Sequence, residues 1–137
     1  MSRKSVSTLF AACIALAACA STAPTPAAPT GASVGPLDGT TYDVTLAFPN
    51  QTPMKDTLRF REGRFESTAC TAVGFPQWAD YRANAEAGAI AFAVVTRNTD
   101  GTTMDWKGSV QGDVVEGTAT RTQPGSSSTA VVRGARH

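Results

Sequence analysis

Met104-Asp105-Trp106-Lys107-Gly108-Ser109-Val110-Gln111-Gly112-Asp113-Val114-Val115-Glu116-Gly117-Thr118-Ala119 is the stretch that decides the fold. Met104, Trp106, Gly108 and Val110 fall on one parity, with polar or charged residues between them, which is the period of a half-buried strand. Gly112-Asp113 suits a two-residue type II′ turn, whose first position takes a positive φ. That register sets Val110 opposite Val115, Gly108 opposite Gly117 and Trp106 opposite Ala119. A large ring facing a methyl group is the shape complementarity that close packing needs.

The same alternation runs outward from this hairpin. Tyr42, Val44, Leu46 and Phe48 alternate with Asp43, Thr45 and Ala47 until Pro49-Asn50 breaks the run. Leu58 and Phe60 lead into Glu62-Gly63, and a two-residue turn there sets Phe60 opposite Phe65 and Arg61 opposite Arg64. Tyr81 and Ala83 precede Glu86-Ala87-Gly88, which reads as a three-residue loop. Ile90, Phe92 and Val94 alternate next, followed by a turn at Asn98-Thr99-Asp100-Gly101. Gln123-Pro124-Gly125 turns the chain once more before the β-branched run Thr129 to Val132.

This pattern predicts eight short strands joined by tight turns. No segment has a helical period, and the one place read as holding a short helical turn is Gly74 to Asp80. The predicted class is all-β, an eight-stranded antiparallel up-and-down barrel over residues 38–137, because closure alone removes exposed strand edges. A two-sheet sandwich is the alternative.

The N-terminus carries a different message. Arg3 and Lys4 precede an uncharged apolar run from Leu9 to Ala18. That run falls short of the ~20 apolar residues a spanning helix needs and has the form of a signal-peptide core. Leu16-Ala17-Ala18-Cys19 resembles the lipobox of bacterial lipoproteins. The resemblance implies that residues 1–18 are a signal peptide and that Cys19 is the lipidation site. With Ala20-Ser21 where an aspartate would signal inner-membrane retention, it further implies an outer-membrane anchor facing the periplasm. Two or more acyl chains hold a protein stably on a bilayer without spanning it. Residues 19–37 form a Pro/Ala/Ser/Thr-rich stretch with Pro24, Pro26, Pro29 and Pro36. Such a composition buries too little apolar surface to fold, so a disordered, semi-extended tether is expected.

Loss of Arg3 and Lys4 with the signal takes the formal charge from +1 to −1. No basic stripe remains, which argues against nucleic acid as a partner, since phosphate neutralisation dominates that affinity. Cys70 is then the single free thiol, so no internal disulfide is expected, and a buried, small apolar role suits it. His137, the sole histidine, sits on a terminus expected to fray. No base is therefore placed to activate a nucleophile, and no ligand set suits zinc. Asp38, Asp43, Asp100 and Asp105 read as solvated surface or turn carboxylates. No catalytic residue, metal or cofactor is expected, and the chain does not read as an enzyme.

Gly63-Arg64-Phe65-Glu66-Ser67, Cys70 and Gly74-Phe75 form one group of residues to compare with known families. Trp106-Lys107-Gly108, Val110-Gln111-Gly112-Asp113 and Glu116-Gly117-Thr118 form a second. In this spacing they resemble a group of bacterial envelope proteins with small lipocalin-like (calycin-type) barrels. The resemblance implies a fold and no activity.

Barrels of eight strands either fill themselves with side chains or keep room for one ligand. Phe60, Phe65, Phe92, Met104 and Trp106 are the candidate ligand-lining residues, with Ala69, Ala83, Gly108, Gly117 and Ala119 as small inward neighbours. Two functions follow. One is a structural or protein-interaction module of the cell envelope with a protein partner. The other is a binder of a small apolar or amphipathic ligand. The aromatics are numerous enough to fill so small a barrel, which favours the first. Phe75, Pro76 and Trp78, between strands, are expected to plug one barrel end, with an exposed apolar patch for a partner as the alternative.

Overall fold

The computed structural model describes residues 35–137. The expected signal peptide, the lipidation expected at Cys19 and the expected tether up to residue 34 lie outside the described residues. The strands are β1 (Thr40–Ala47), β2 (Met54–Arg61), β3 (Arg64–Ser67), β4 (Ala79–Glu86), β5 (Ala89–Arg97), β6 (Thr103–Gln111), β7 (Val114–Gln123) and β8 (Ser126–Arg136). They pair in chain order, and β1 pairs with β8 from Tyr42 and Arg136 to Ala47 and Val131, so the sheet closes into a barrel. That closure decides against the sandwich.

The turns follow their chemistry. Glu62 and Gly63 have φ of 53° and 72°, the pair of positive values that a type I′ hairpin needs, and Phe60 faces Phe65 as expected. Gly112 has φ 60°, and Val110–Val115, Gly108–Gly117 and Trp106–Ala119 are opposite pairs. The loop after β4 is shorter than the sequence suggested. Glu86 still pairs with Ala89, leaving Ala87 and Gly88 alone in the turn with φ of 41° and 85°.

Inward residues of every strand make one core. Tyr42, Val44 and Leu46 of β1 are buried, as are Leu58 and Phe60 of β2, Phe92 and Val94 of β5, Met104, Trp106 and Val110 of β6, and Val115 and Ala119 of β7. Each fully buried large apolar side chain is worth about 1.5–3 kcal/mol relative to exposure. Leu37, at 1% exposure, belongs to this core, so ordered packing begins upstream of residue 38.

One junction differs from the rest. β3 has four residues, and only Arg64 and Phe65 pair with β4. Where the ladder stops, a helix α1 (Thr68–Ala72) begins. The short helical turn therefore lies before Gly74 and not within Gly74–Asp80. A single turn of Thr-Ala-Cys-Thr-Ala has little propensity of its own, but it is capped: Ser67 Oγ accepts from the Cys70 N–H at 3.1 Å. Phe75 enters the core, whereas Pro76 is exposed and Trp78 is half-buried. Only Phe75 of that trio joins the interior as a plug. Trp78 borders surface grooves beside Arg61 and Arg64.

Candidate functional site

The five expected lining residues converge, each at most 6% exposed. Phe60 is central: its ring centroid lies 6.1 Å from Tyr42, 5.3 Å from Phe65, 5.0 Å from Tyr81 and 5.2 Å from Phe92. Phe65 reaches Trp106 at 5.2 Å. Most of these contacts are tilted or edge-on, the arrangement that ring quadrupoles favour. The small residues make the fit possible. A Cβ on Gly108 would stand 2.6 Å from the Phe92 ring, and one on Gly117 would stand 2.2 Å from the Lys107 carbonyl oxygen. Ala69 sits on α1 and not in the barrel wall, while Ala83 faces Phe92 from β4. Two polar atoms in this interior, Trp106 Nε1 and Thr96 Oγ1, are buried with no hydrogen-bond partner among the described residues.

Asp56 forms a second cluster, at the start of β2. It shares the inward parity of Leu58 and Phe60 and is 5% exposed. Its carboxylate accepts from Ser67 Oγ, from Thr68 Oγ1 at 3.0 Å, from the Ala69 N–H at 2.8 Å and from the Thr57 N–H at 2.7 Å. A buried polar group needs hydrogen-bond partners, and here they are the Thr57 N–H together with the backbone and hydroxyls at the entry to α1. Glu66, also buried, meets Arg59 at 3.3 Å across the β2–β3 pair. Cys70 lies beneath this network. Burial pushes its thiol up to about 11, so at neutral pH it is a protonated thiol, the inert form.

Asp38 departs from the surface role expected of it. It is half-buried and accepts from the Gly35 N–H at 2.7 Å, the Gly63 N–H at 3.0 Å and the Tyr81 hydroxyl at 2.8 Å. Burial works to raise its pKa, but those three bonds outweigh it and hold the carboxyl below its ordinary value. The result is a latch binding the chain entry to the β2–β3 turn and to β4. Burial and the Asp38 carboxylate together push the Tyr81 hydroxyl up.

His137 is not frayed. Its N–H donates to the Thr41 carbonyl at 2.9 Å, and its ring lies 2.8 Å from Asp43 Oδ2 on the exposed face. That contact, with a smaller one from Thr57, lowers the Asp43 carboxyl. The histidine is thus engaged on the outer face while Cys70 is buried within. Asp100 does what a turn carboxylate does, accepting from the Thr102 N–H at 2.7 Å, and half-buried Asp105 stands 3.7 Å from Lys107.

Asp56 was legible in principle, because its parity with Leu58 and Phe60 marks it as inward. Arg121 gave the same signal, sharing parity with Val115 and Ala119; its guanidinium sits 5.3 Å from the Phe48 ring centroid, in cation–π range. Asp38 offered no such signal, since two of its three partners lie 25 and 43 residues away.

Among the described residues, no three His, Cys, Asp or Glu side chains converge as metal ligands, and no helix is long and apolar enough to cross a membrane. No protein-family model, curated protein or solved structure matches the chain.

Proposed function

We propose that the chain is an outer-membrane lipoprotein, anchored through acylated Cys19 and facing the periplasm, whose barrel is a structural or protein-interaction module of the envelope. The observation that carries this reading is the occupancy of the interior. Phe60, Phe65, Phe92, Met104 and Trp106 are at most 6% exposed, and the rings take one another as neighbours at 5.2–6.4 Å. A barrel filled by its own side chains works through its outer surface. The lipobox-like Leu16-Ala17-Ala18-Cys19 supports the anchor.

A second reading has one observation in its favour. Trp106 Nε1 and Thr96 Oγ1 are buried and unpartnered, and such atoms in native proteins call for an explanation. The polar end of a small amphipathic ligand would supply one, as would a buried water.

Mass spectrometry of the native protein in mild detergent tests both readings. The first expects a chain beginning at Cys19, heavier by its acyl groups, with no other retained mass. A lipid-sized mass that survives desalting favours the second. An unmodified Cys19, or a Cys19→Ala chain still cut at the same bond and still sedimenting with envelopes, removes the anchor.

A further inference from the structure

β4 is eight residues long, but β3 covers only Ala79 and Asp80. One more bond follows, from the Tyr81 N–H to the Gly63 carbonyl at 3.2 Å. Beyond it, no strand among the described residues pairs with this side of β4.

The two-residue turn at Ala87-Gly88 makes Glu86 and Ala89 a hydrogen-bonded pair, and antiparallel alternation makes Asn84–Ala91 and Arg82–Ala93 the next ones. Ala83 and Ala85 therefore turn their N–H and C=O groups away from β5, in phase with Tyr81. This open edge has no proline, no lysine and no inward charge; of the usual edge protections it keeps only outward charges. Its outward side chains are Arg82, Asn84 and Glu86, all exposed. Arg82 and Glu86 stand four residues apart on a strand, about 13 Å, too far to meet each other. Neither makes an ion pair among the described residues.

We propose that β4 is a self-association edge, pairing antiparallel with β4 of a second copy about a two-fold axis at Asn84. In that register Ala83 faces Ala85 of the second copy, and the reverse, so the four unpaired backbone groups on each copy form four hydrogen bonds. Arg82 faces the second copy's Glu86 twice over, because Arg82-Ala83-Asn84-Ala85-Glu86 reads oppositely charged from its two ends. A two-fold contact of this kind is self-complementary and closes at two copies. The edge is short, far below the ~1,200 Å² of a stable interface, so the dimer is weak in dilute solution and grows where copies are crowded. None of this depends on how the chain is anchored.

Asn84 meets its own counterpart at a non-hydrogen-bonded site, where Cα atoms stand about 4.5 Å apart, close enough for a disulfide. Cells expressing the full chain with Asn84→Cys are oxidised with copper phenanthroline and run on a non-reducing gel. Covalent dimer is expected several-fold above both the unsubstituted chain and an Arg133→Cys control, whose site is exposed on β8, on the far side of the closed strand order from β4. Adding Glu86→Arg lowers it several-fold, and adding Arg82→Glu with Glu86→Arg restores it. All four substituted positions are exposed, so the barrel core is untouched. Dimer no greater than the Arg133→Cys control overturns the proposal; that is the result if residues before Gly35 or another protein cover the edge. Charge reversal without effect, or a loss the double exchange fails to recover, overturns it equally.

Discussion

The β6–β7 hairpin and the β3–β4 junction close the same barrel by different means. β6 and β7 are joined by nine consecutive residue pairs from Gln111–Val114 to Thr103–Thr122, with Gly108 and Gly117 letting the two backbones approach. β3 and β4 share two pairs. What the second junction lacks in backbone ladder is made up by side chains: Asp56 gripping the entry to α1, Asp38 latching Tyr81 to the β2–β3 turn, and Phe75 filling the interior. A barrel can thus be closed by backbone where the sequence alternates cleanly, and by buried polar networks where it does not. The second kind is vulnerable to single substitutions and to pH.

Phe60 touches both halves of the wall, so Phe60→Ala gives the largest loss, about 3–5 kcal/mol for a buried aromatic, read from urea midpoints. Gly117→Ala strikes the backbone-closed side. Its obstacles are backbone atoms at 2.2 and 2.6 Å, so a cost near ~3 kcal/mol, the upper end for overpacking, is expected. Asp56→Ala strikes the other side, at roughly 2 kcal/mol for the buried donors it orphans. The informative readout there is local. Cys70 in Asp56→Ala should react with a thiol reagent much faster than its global stability loss allows, because α1 opens alone. In Gly117→Ala, Cys70 should speed up only in step with stability.

The smallest effect is a pH dependence. A carboxyl held below its ordinary value near 3.8 when folded stabilises the protein fully above that value and loses the contribution as pH falls toward the folded pKa. Wild type should therefore melt progressively lower below about pH 4. Asp38→Asn should start from a lower melting temperature and show a shallower acid decline. An unchanged decline would show that Asp38 is not a latch.

The division between the two junctions is also the division between what the sequence disclosed and what it hid. Trp106, Gly108 and Val110 announced their register because alternation and turn chemistry are local, and the same logic placed Phe60 opposite Phe65. α1 is a single helical turn held by a carboxylate thirteen residues upstream, so no window of sequence shows a period there. The polar network around Asp56 was half legible: parity pointed it inward, yet no local signal named Ser67 and Thr68 as its partners. The sequence places Glu86 in a three-residue loop because Gly88 marks a left-handed position there, and the register with Ala89 shortens that loop to two residues.

The central claim is that the interior is filled by the chain's own side chains, and Trp106 reports on it directly. In a Trp78→Phe chain Trp106 is the sole tryptophan, 1% exposed and ringed by Phe65 and its neighbours. A blue-shifted emission, almost unquenched by acrylamide and unmoved by titrated palmitate, is the predicted result. Ready quenching, or a spectral shift that saturates with palmitate, would contradict it.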